Sequence, residues 1–126
     1  HWRGVLAGSD NPGARRRFGL QLLQAARVQI TLGRTAAARE RLAEADTVLS
    51  PLVDLPALKA FHRDLRLARA ELRVLRAGLP GPVADRRQDL AQAQAWLDAA
   101  QAERPLAPDH RAVAQRAQAL QAALPP

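Results

Sequence analysis

Apolar residues recur along this chain at intervals of three and four positions, which is the spacing of amphipathic α-helices. The longest regular series has spacings of three, four, three, four and three, and comprises Leu58, Phe61, Leu65, Ala68, Leu72 and Leu75. A shorter series with spacings of four, three and four comprises Ala38, Leu42, Ala45 and Leu49. Strands would instead show strict alternation of apolar and polar positions, so the pattern predicts an all-α fold.

Helix-breaking residues divide these series into about five predicted helices. The first helix runs from Pro12 to about Leu32, and the Leu32 side chain is expected on its apolar face. Asp10 or Asn11 is suited to the N-cap, and Gly33 to the left-handed position that follows a helix.

The remaining boundaries come from the same signals. The second helix is predicted from Thr35, as its N-cap, to Leu49, and the short turn before it makes the first two helices antiparallel. The third helix is predicted to begin after Pro56 and to end at Gly78. The fourth covers 83–103, and the last has the apolar stripe Val113, Ala117, Leu120 and Leu124.

This pattern organises the chain into four predicted parts. Residues 1–11 are the end of a preceding helix or a linker, and residues 12–52 are a first helical hairpin. Residues 53–105 are a second hairpin with a long connection, and residues 106–126 are a C-terminal capping helix.

The amino-acid composition favours helices and limits the reactions and metal sites that the chain can support. Ala and Leu, which are strong helix formers, supply most of the apolar residues, while aromatic residues make up only 3%. The absence of cysteine excludes disulfides, thiol nucleophiles and thiolate metal sites.

No apolar run approaches the roughly 20 residues that span a bilayer, so we expect no membrane segment within the chain. The first residues do not resemble a signal peptide, and a start at His1 is typical of a piece of a longer protein. A cytoplasmic location is expected, or a periplasmic one if a membrane segment lies upstream.

The chain is strongly basic, with a net charge of +7 and a pI near 11.6, and Lys59 is its only lysine. This charge favours an acidic or phosphorylated partner, including nucleic acid. The alternative is replacement of lysine by arginine in a GC-biased genome, which the occurrence of arginines in every predicted helix supports.

The two predicted hairpins repeat each other. In the first helices, a shift of 45 positions relates Leu20, Leu22, Ala25 and Gly33 to Leu65, Leu67, Ala70 and Gly78. In the second helices, a shift of 55 positions relates Ala38, Leu42 and Ala45 to Ala93, Leu97 and Ala100. Repeated units of this kind bury their apolar faces by stacking.

The residues in these copies resemble the tetratricopeptide repeat, which has a large residue and a small pair in one helix and Ala-x-x-x-large-x-x-Ala in the next. The matching residues are Leu22, Ala25, Ala26, Ala38, Leu42 and Ala45, followed by Pro51. The sequence departs from the family at Gln29 and Val74, where the repeat has Tyr, and at Glu71, which takes a small-residue place. The resemblance implies a short solenoid of stacked antiparallel hairpins with a C-terminal capping helix.

A looser resemblance concerns the first residues. Trp2, Leu6, Asp10 and the arginine pair at 16–17, followed by Leu- and Ala-rich helices, look like repeats behind the catalytic domain of some bacterial eukaryotic-like serine/threonine kinases, and in some large regulators. This resemblance implies a C-terminal regulatory module without kinase residues.

Signals for catalysis are weak. The sequence contains no Gly-rich phosphate loop, no H-E-x-x-H and no Gly-x-Ser-x-Gly. His62 is close to Asp64 and His110 follows Asp109, but a surface or boundary role accounts for each histidine. We therefore expect a non-enzymatic chain without catalytic residues, metal or cofactor.

Candidate partner-binding residues follow from the resemblance and from charge. The first helix of each hairpin would line a groove, which implicates Leu23, Arg27 and Ile30, and then Leu72 and Arg76. The charge pattern adds Arg15, Arg16 and Arg17, whose cations oppose the helix dipole at a helix N-terminus. Trp96 is a candidate anchor for a partner or a symmetric mate.

Three functions remain open on these residues. The leading hypothesis is a scaffold that binds a protein or an acidic or amphipathic peptide. The second is a basic module that binds nucleic acid through phosphate contacts, since aromatic residues for stacking are scarce. The third is an oligomerisation or spacer domain of a larger enzyme, which would make the chain a homo-oligomer.

Overall fold

The computed structural model describes residues 11–125, so the predictions for residues 1–10 lie outside the described part. Residues 11–125 form α-helices and contain no strand, which confirms the all-α prediction. The α-helices are α1 (Pro12–Thr31), α2 (Thr35–Leu49), α3 (His62–Ala77), α4 (Val83–Glu103) and α5 (Pro108–Ala123). Two short 3₁₀ helices, Ser50–Asp54 and Pro56–Phe61, lie between α2 and α3.

Both ends of α1 are formed by the predicted capping residues. The Asn11 side chain accepts a hydrogen bond from the Ala14 amide at 3.1 Å, and Pro12 occupies the first helical position. Gly33 has φ of 73°, its amide donates to the Ile30 carbonyl, and the Arg34 amide donates to the Gln29 carbonyl. This pair of bonds is a Schellman motif, and it turns the chain sharply into α2.

The helix α2 packs against α1 and runs antiparallel to it, as the short turn predicted. The inward positions of α2 are Ala38, Leu42, Ala45 and Leu49, and all four are buried. The structure corrects the N-cap, because Arg34 takes that position without a side-chain bond and Thr35 is the first helical residue.

The start of the third helix differs from the prediction. Pro56–Phe61 is a 3₁₀ helix, in which Leu58 departs from helical geometry at φ −111° and ψ 21°, and α3 begins only at His62. Leu58 is still buried, but Phe61 is 37% exposed and does not continue the buried stripe. His62 is half-buried at the junction, and its Nε2 lies 2.7 Å from the Leu55 carbonyl oxygen.

The described residues divide into two compact units, with the boundary between Ala68 and Arg69 inside α3. In the second unit, the four predicted inward positions of α4 are all buried, namely Leu90, Ala93, Leu97 and Ala100. The α5 stripe is less covered than expected, because Ala117 is buried while Val113, Leu120 and Leu124 are half-buried. The solenoid arrangement and the four predicted parts of the chain stay predictions.

Candidate interaction surface

The structure separates the predicted binding residues by burial. Leu23 and Leu72 are 1% and 0% exposed, so both belong to the hydrophobic core. Burial does not support their prediction as groove-lining residues, because a side chain with no accessible surface offers a partner nothing to contact. Periodicity could not distinguish these cases, since core positions and groove positions both carry Leu.

Arg76 forms an ion pair within the second unit. Its Nε and Nη2 atoms donate to the two Asp89 carboxylate oxygens at 2.9 and 2.7 Å, and Arg73 Nη1 donates to the same carboxylate at 3.1 Å. Asp89 is buried, so the two arginines supply the charge and the hydrogen bonds that its carboxylate needs. Arg76 therefore holds α3 to α4, which is a structural role.

Trp96 contacts two arginines of the same unit. The guanidinium carbons of Arg69 and Arg73 lie 4.6 and 5.4 Å from the centre of its ring, within the range of cation–π contacts. The Trp96 side chain is half-buried in this position. The contacts favour a role in joining α3 to α4 over the predicted role as a partner anchor.

The arginine triplet at the start of α1 does not converge on one point. Arg16 lies over Phe61, with its guanidinium carbon 4.0 Å from the ring centre, and is half-buried. Arg15 is also half-buried, whereas Arg17 is exposed. Successive helix positions differ by about 100°, so neighbouring side chains must point in different directions. Of the triplet, Arg17 is the most accessible.

The side of α1 that faces away from α2 carries an unusual set of exposed residues, which we call the α1 outer face. Its exposed members recur every three or four positions and are Arg17, Gln21, Gln24, Val28 and Leu32. Arg27 is half-buried at the edge of this face, whereas Ile30 is half-buried on the opposite side, in line with the core residues Leu23 and Ala26. Val28 and Leu32 are 45% and 56% exposed, among the few large apolar side chains on the described surface.

Sequence reasoning placed Leu32 on the buried face and did not single out Val28. The error arose at the C-terminal end of α1, where the helix closes at Gly33 and Leu32 becomes its C-cap. The spacing of Arg17, Gln21, Gln24, Val28 and Leu32 was visible in the sequence, and it could have indicated a second stripe.

Charge is concentrated on the same part of the chain. Residues 12–39 contain six arginines and no acidic residue, so they account for six of the seven net positive charges. The rest of the chain is close to neutral. Arginines occur in every helix, but this stretch combines the largest number of them with no acidic residue, so much of the excess positive charge lies on α1 and the start of α2.

A concavity with a volume of about 580 Å³ lies between α4 and α5. Its lining includes Leu90 and Ala117, the neutral Gln94, Gln118 and Gln121, and one cation, Arg87. Leu90 and Ala117 are buried, whereas Val28 and Leu32 of the α1 outer face are exposed.

Comparisons with known proteins identify no relative from which a function could be inferred. The chain matches no protein-family model, no curated protein and no solved structure. Within residues 11–125 no helix is long and apolar enough to cross a membrane, and no group of three or more His, Asp or Glu residues is placed to hold a metal ion. The α1 outer face is the feature that carries a functional argument.

Proposed function

We propose that this chain is a non-catalytic protein-interaction module that binds an acidic partner segment through the α1 outer face. One observation carries the proposal: exposed Val28 and Leu32 share a helix face with the exposed Arg17, on a stretch of chain that has no acidic residue. The tetratricopeptide resemblance supports a protein partner, since repeats of that family bind proteins.

Two physical terms favour such a partner. Contact with Val28 and Leu32 removes apolar surface from water, which stabilises a complex in proportion to the area buried. The arginines of residues 12–39 attract acidic groups and repel basic ones, so they select the partner and accelerate encounter. Phosphate groups could use the arginines but gain nothing from the aliphatic side chains.

The six arginines between residues 12 and 39 are also the reason to test nucleic acid as a second candidate. Binding of that kind would rest on phosphate neutralisation, and its affinity would fall steeply with salt concentration. Truncation of the Val28 side chain to alanine would leave the affinity for nucleic acid unchanged. The two candidates are therefore separable by ligand and by variant.

The test measures binding of a fluorescent acidic peptide, and of duplex DNA, by anisotropy. The double variant Arg17→Glu/Arg27→Glu reverses two charges on or beside the α1 outer face, and we expect it to weaken peptide binding at least about tenfold. The matched control is Arg66→Glu/Arg116→Glu, which reverses two exposed arginines outside α1 and should change affinity by less than about threefold.

Circular dichroism checks that all three proteins are folded. Equal losses in the test and control variants would show non-specific attraction and contradict the proposal. Stronger binding of duplex DNA than of the peptide, with a steep salt dependence, would favour nucleic acid instead. Sedimentation of the free chain tests the oligomerisation alternative, which predicts a mass that rises with concentration.

A further inference from the structure

The α1 outer face has two chemically different ends. Arg17 lies at the N-terminal end, next to the other arginines of the triplet, whereas Val28 and Leu32 lie at the C-terminal end. The exposed side chains between them, Gln21 and Gln24, are neutral and polar. A ligand that lies along this face therefore meets the Arg17 cation first and aliphatic groups about three helical turns later.

The distance between the two ends is set by helix geometry. Arg17 and Val28 are separated by 11 positions, which at a rise of 1.5 Å per residue is about 16 Å. Eleven steps of about 100° complete about three turns, so both side chains point to the same side. A complementary ligand must present its acidic and aliphatic groups on one face at this separation.

Backbone hydrogen bonding favours a helical ligand over an extended one. The backbone groups of α1 are used within the helix, so α1 offers no edge to which an extended strand could add. An extended ligand would have to satisfy its own amides and carbonyls with water while it contacts Val28 and Leu32. A helical ligand satisfies its backbone internally and can bury an apolar stripe against these side chains.

Building on the proposed function, we infer that the partner element is an amphipathic α-helix with acidic side chains about 11 residues from an aliphatic pair on the same face. A second copy of α1 does not fit this description, because its outer face carries Arg17 and no acidic side chain. The partner is therefore a different segment, acidic at one end and aliphatic at the other.

The experiment uses two synthetic peptides of identical composition. In both peptides a pair of glutamates and a pair of leucines flank an Ala- and Gln-rich helical spacer. In the matched peptide the pairs are about 11 positions apart and share one face, whereas in the shifted peptide they are about 9 positions apart and point to opposite faces. Anisotropy measures the affinity of the 126-residue chain for each peptide.

We expect the shifted peptide to bind at least about tenfold more weakly than the matched peptide, because it cannot engage both ends at once. The variant Val28→Ala/Leu32→Ala should weaken the matched peptide by about tenfold and leave the shifted peptide nearly unchanged. Phe61→Ala is the control, since it truncates an exposed apolar side chain that lies against Arg16 instead.

The results separate this inference from the proposed function. If both peptides bind equally, and Arg17→Glu/Arg27→Glu still weakens both, the helical spacing is wrong while recognition of acidic segments stands. If an unstructured glutamate-rich peptide binds as tightly as the matched helix, the helical partner is also excluded. If no acidic peptide binds, both the inference and the proposed function are overturned.

Discussion

At Gly19 the backbone of α1 lies close to the Leu49 side chain of α2, and Gly19→Ala tests the packing of this hairpin. A Cβ atom added to Gly19 would lie 2.4 Å from Leu49 Cδ2, 2.7 Å from Leu49 Cγ and 3.2 Å from Val48 Cγ1. The first two distances are far inside van der Waals contact. Leu49 is fully buried, so its side chain has little room to move away.

Two opposing terms set the size of the effect. Alanine is favoured over glycine in a helix interior by about 1 kcal/mol, which would stabilise the variant. Forcing an extra methyl group into a packed interface costs about 1–3 kcal/mol. The overlap involves two atoms of an immobile side chain, so we place the cost near its upper end and expect a net loss of about 1–2 kcal/mol.

Urea denaturation, monitored by circular dichroism, measures this loss of stability as a lower urea concentration at the midpoint of unfolding. The matched control is Gly78→Ala, since a Cβ there would meet its nearest atom, the Leu75 carbonyl oxygen, at an ordinary 3.4 Å. We expect the control to be neutral or to gain up to about 1 kcal/mol through the unfolded state.

A double-mutant cycle identifies the clash itself. Leu49→Ala removes both atoms closest to the added methyl group, so Gly19→Ala should be neutral or stabilising in that background. Our account of the hairpin would be refuted by a Gly19→Ala protein that is as stable as the parent. It would also be refuted if the loss persisted unchanged when Leu49 is Ala.

Three further predictions use the same denaturation assay. Leu72→Ala should cost about 2–5 kcal/mol because Leu72 is a core residue, and a change below 1 kcal/mol would restore it as a surface candidate. Asp89→Asn should cost about 2–3 kcal/mol by weakening the bonds from Arg73 and Arg76, whereas the exposed control Asp85→Asn should change stability by less than about 1 kcal/mol. Gly33→Ala should cost about 1–2 kcal/mol because Gly33 has a left-handed backbone conformation. No atom lies within 4 Å of the added Cβ, so a neutral result would contradict this backbone cost.

Local signals predicted most helix boundaries because the responsible forces act between near neighbours. Asn11, Pro12 and Gly33 act through hydrogen bonds and backbone angles a few positions away, and they bound α1 as expected. The 3₁₀ helix Pro56–Phe61 was missed because Leu58 and Phe61 have the spacing of an α-helix, although the local backbone is not one. Hydrophobic spacing alone does not report backbone geometry.

The candidate site was less predictable for a physical reason. Arginine and tryptophan side chains are long and amphipathic, so the sequence does not reveal which groups they will reach. Arg76 and Trp96 found partners on neighbouring helices, Asp89 for the first and Arg69 and Arg73 for the second. These contacts join residues 13 to 27 positions apart, and they exist only once α3 and α4 lie side by side.

The amino-acid sequence by itself determined an all-α chain, the positions of its turns and the alanines that allow close packing, because these depend on local propensity and periodicity. Tertiary structure alone decided which leucines are core and which are surface, as Leu23 and Leu32 show. The exposure of a side chain depends on which residues pack against it, and those neighbours are set only when the helices pack together.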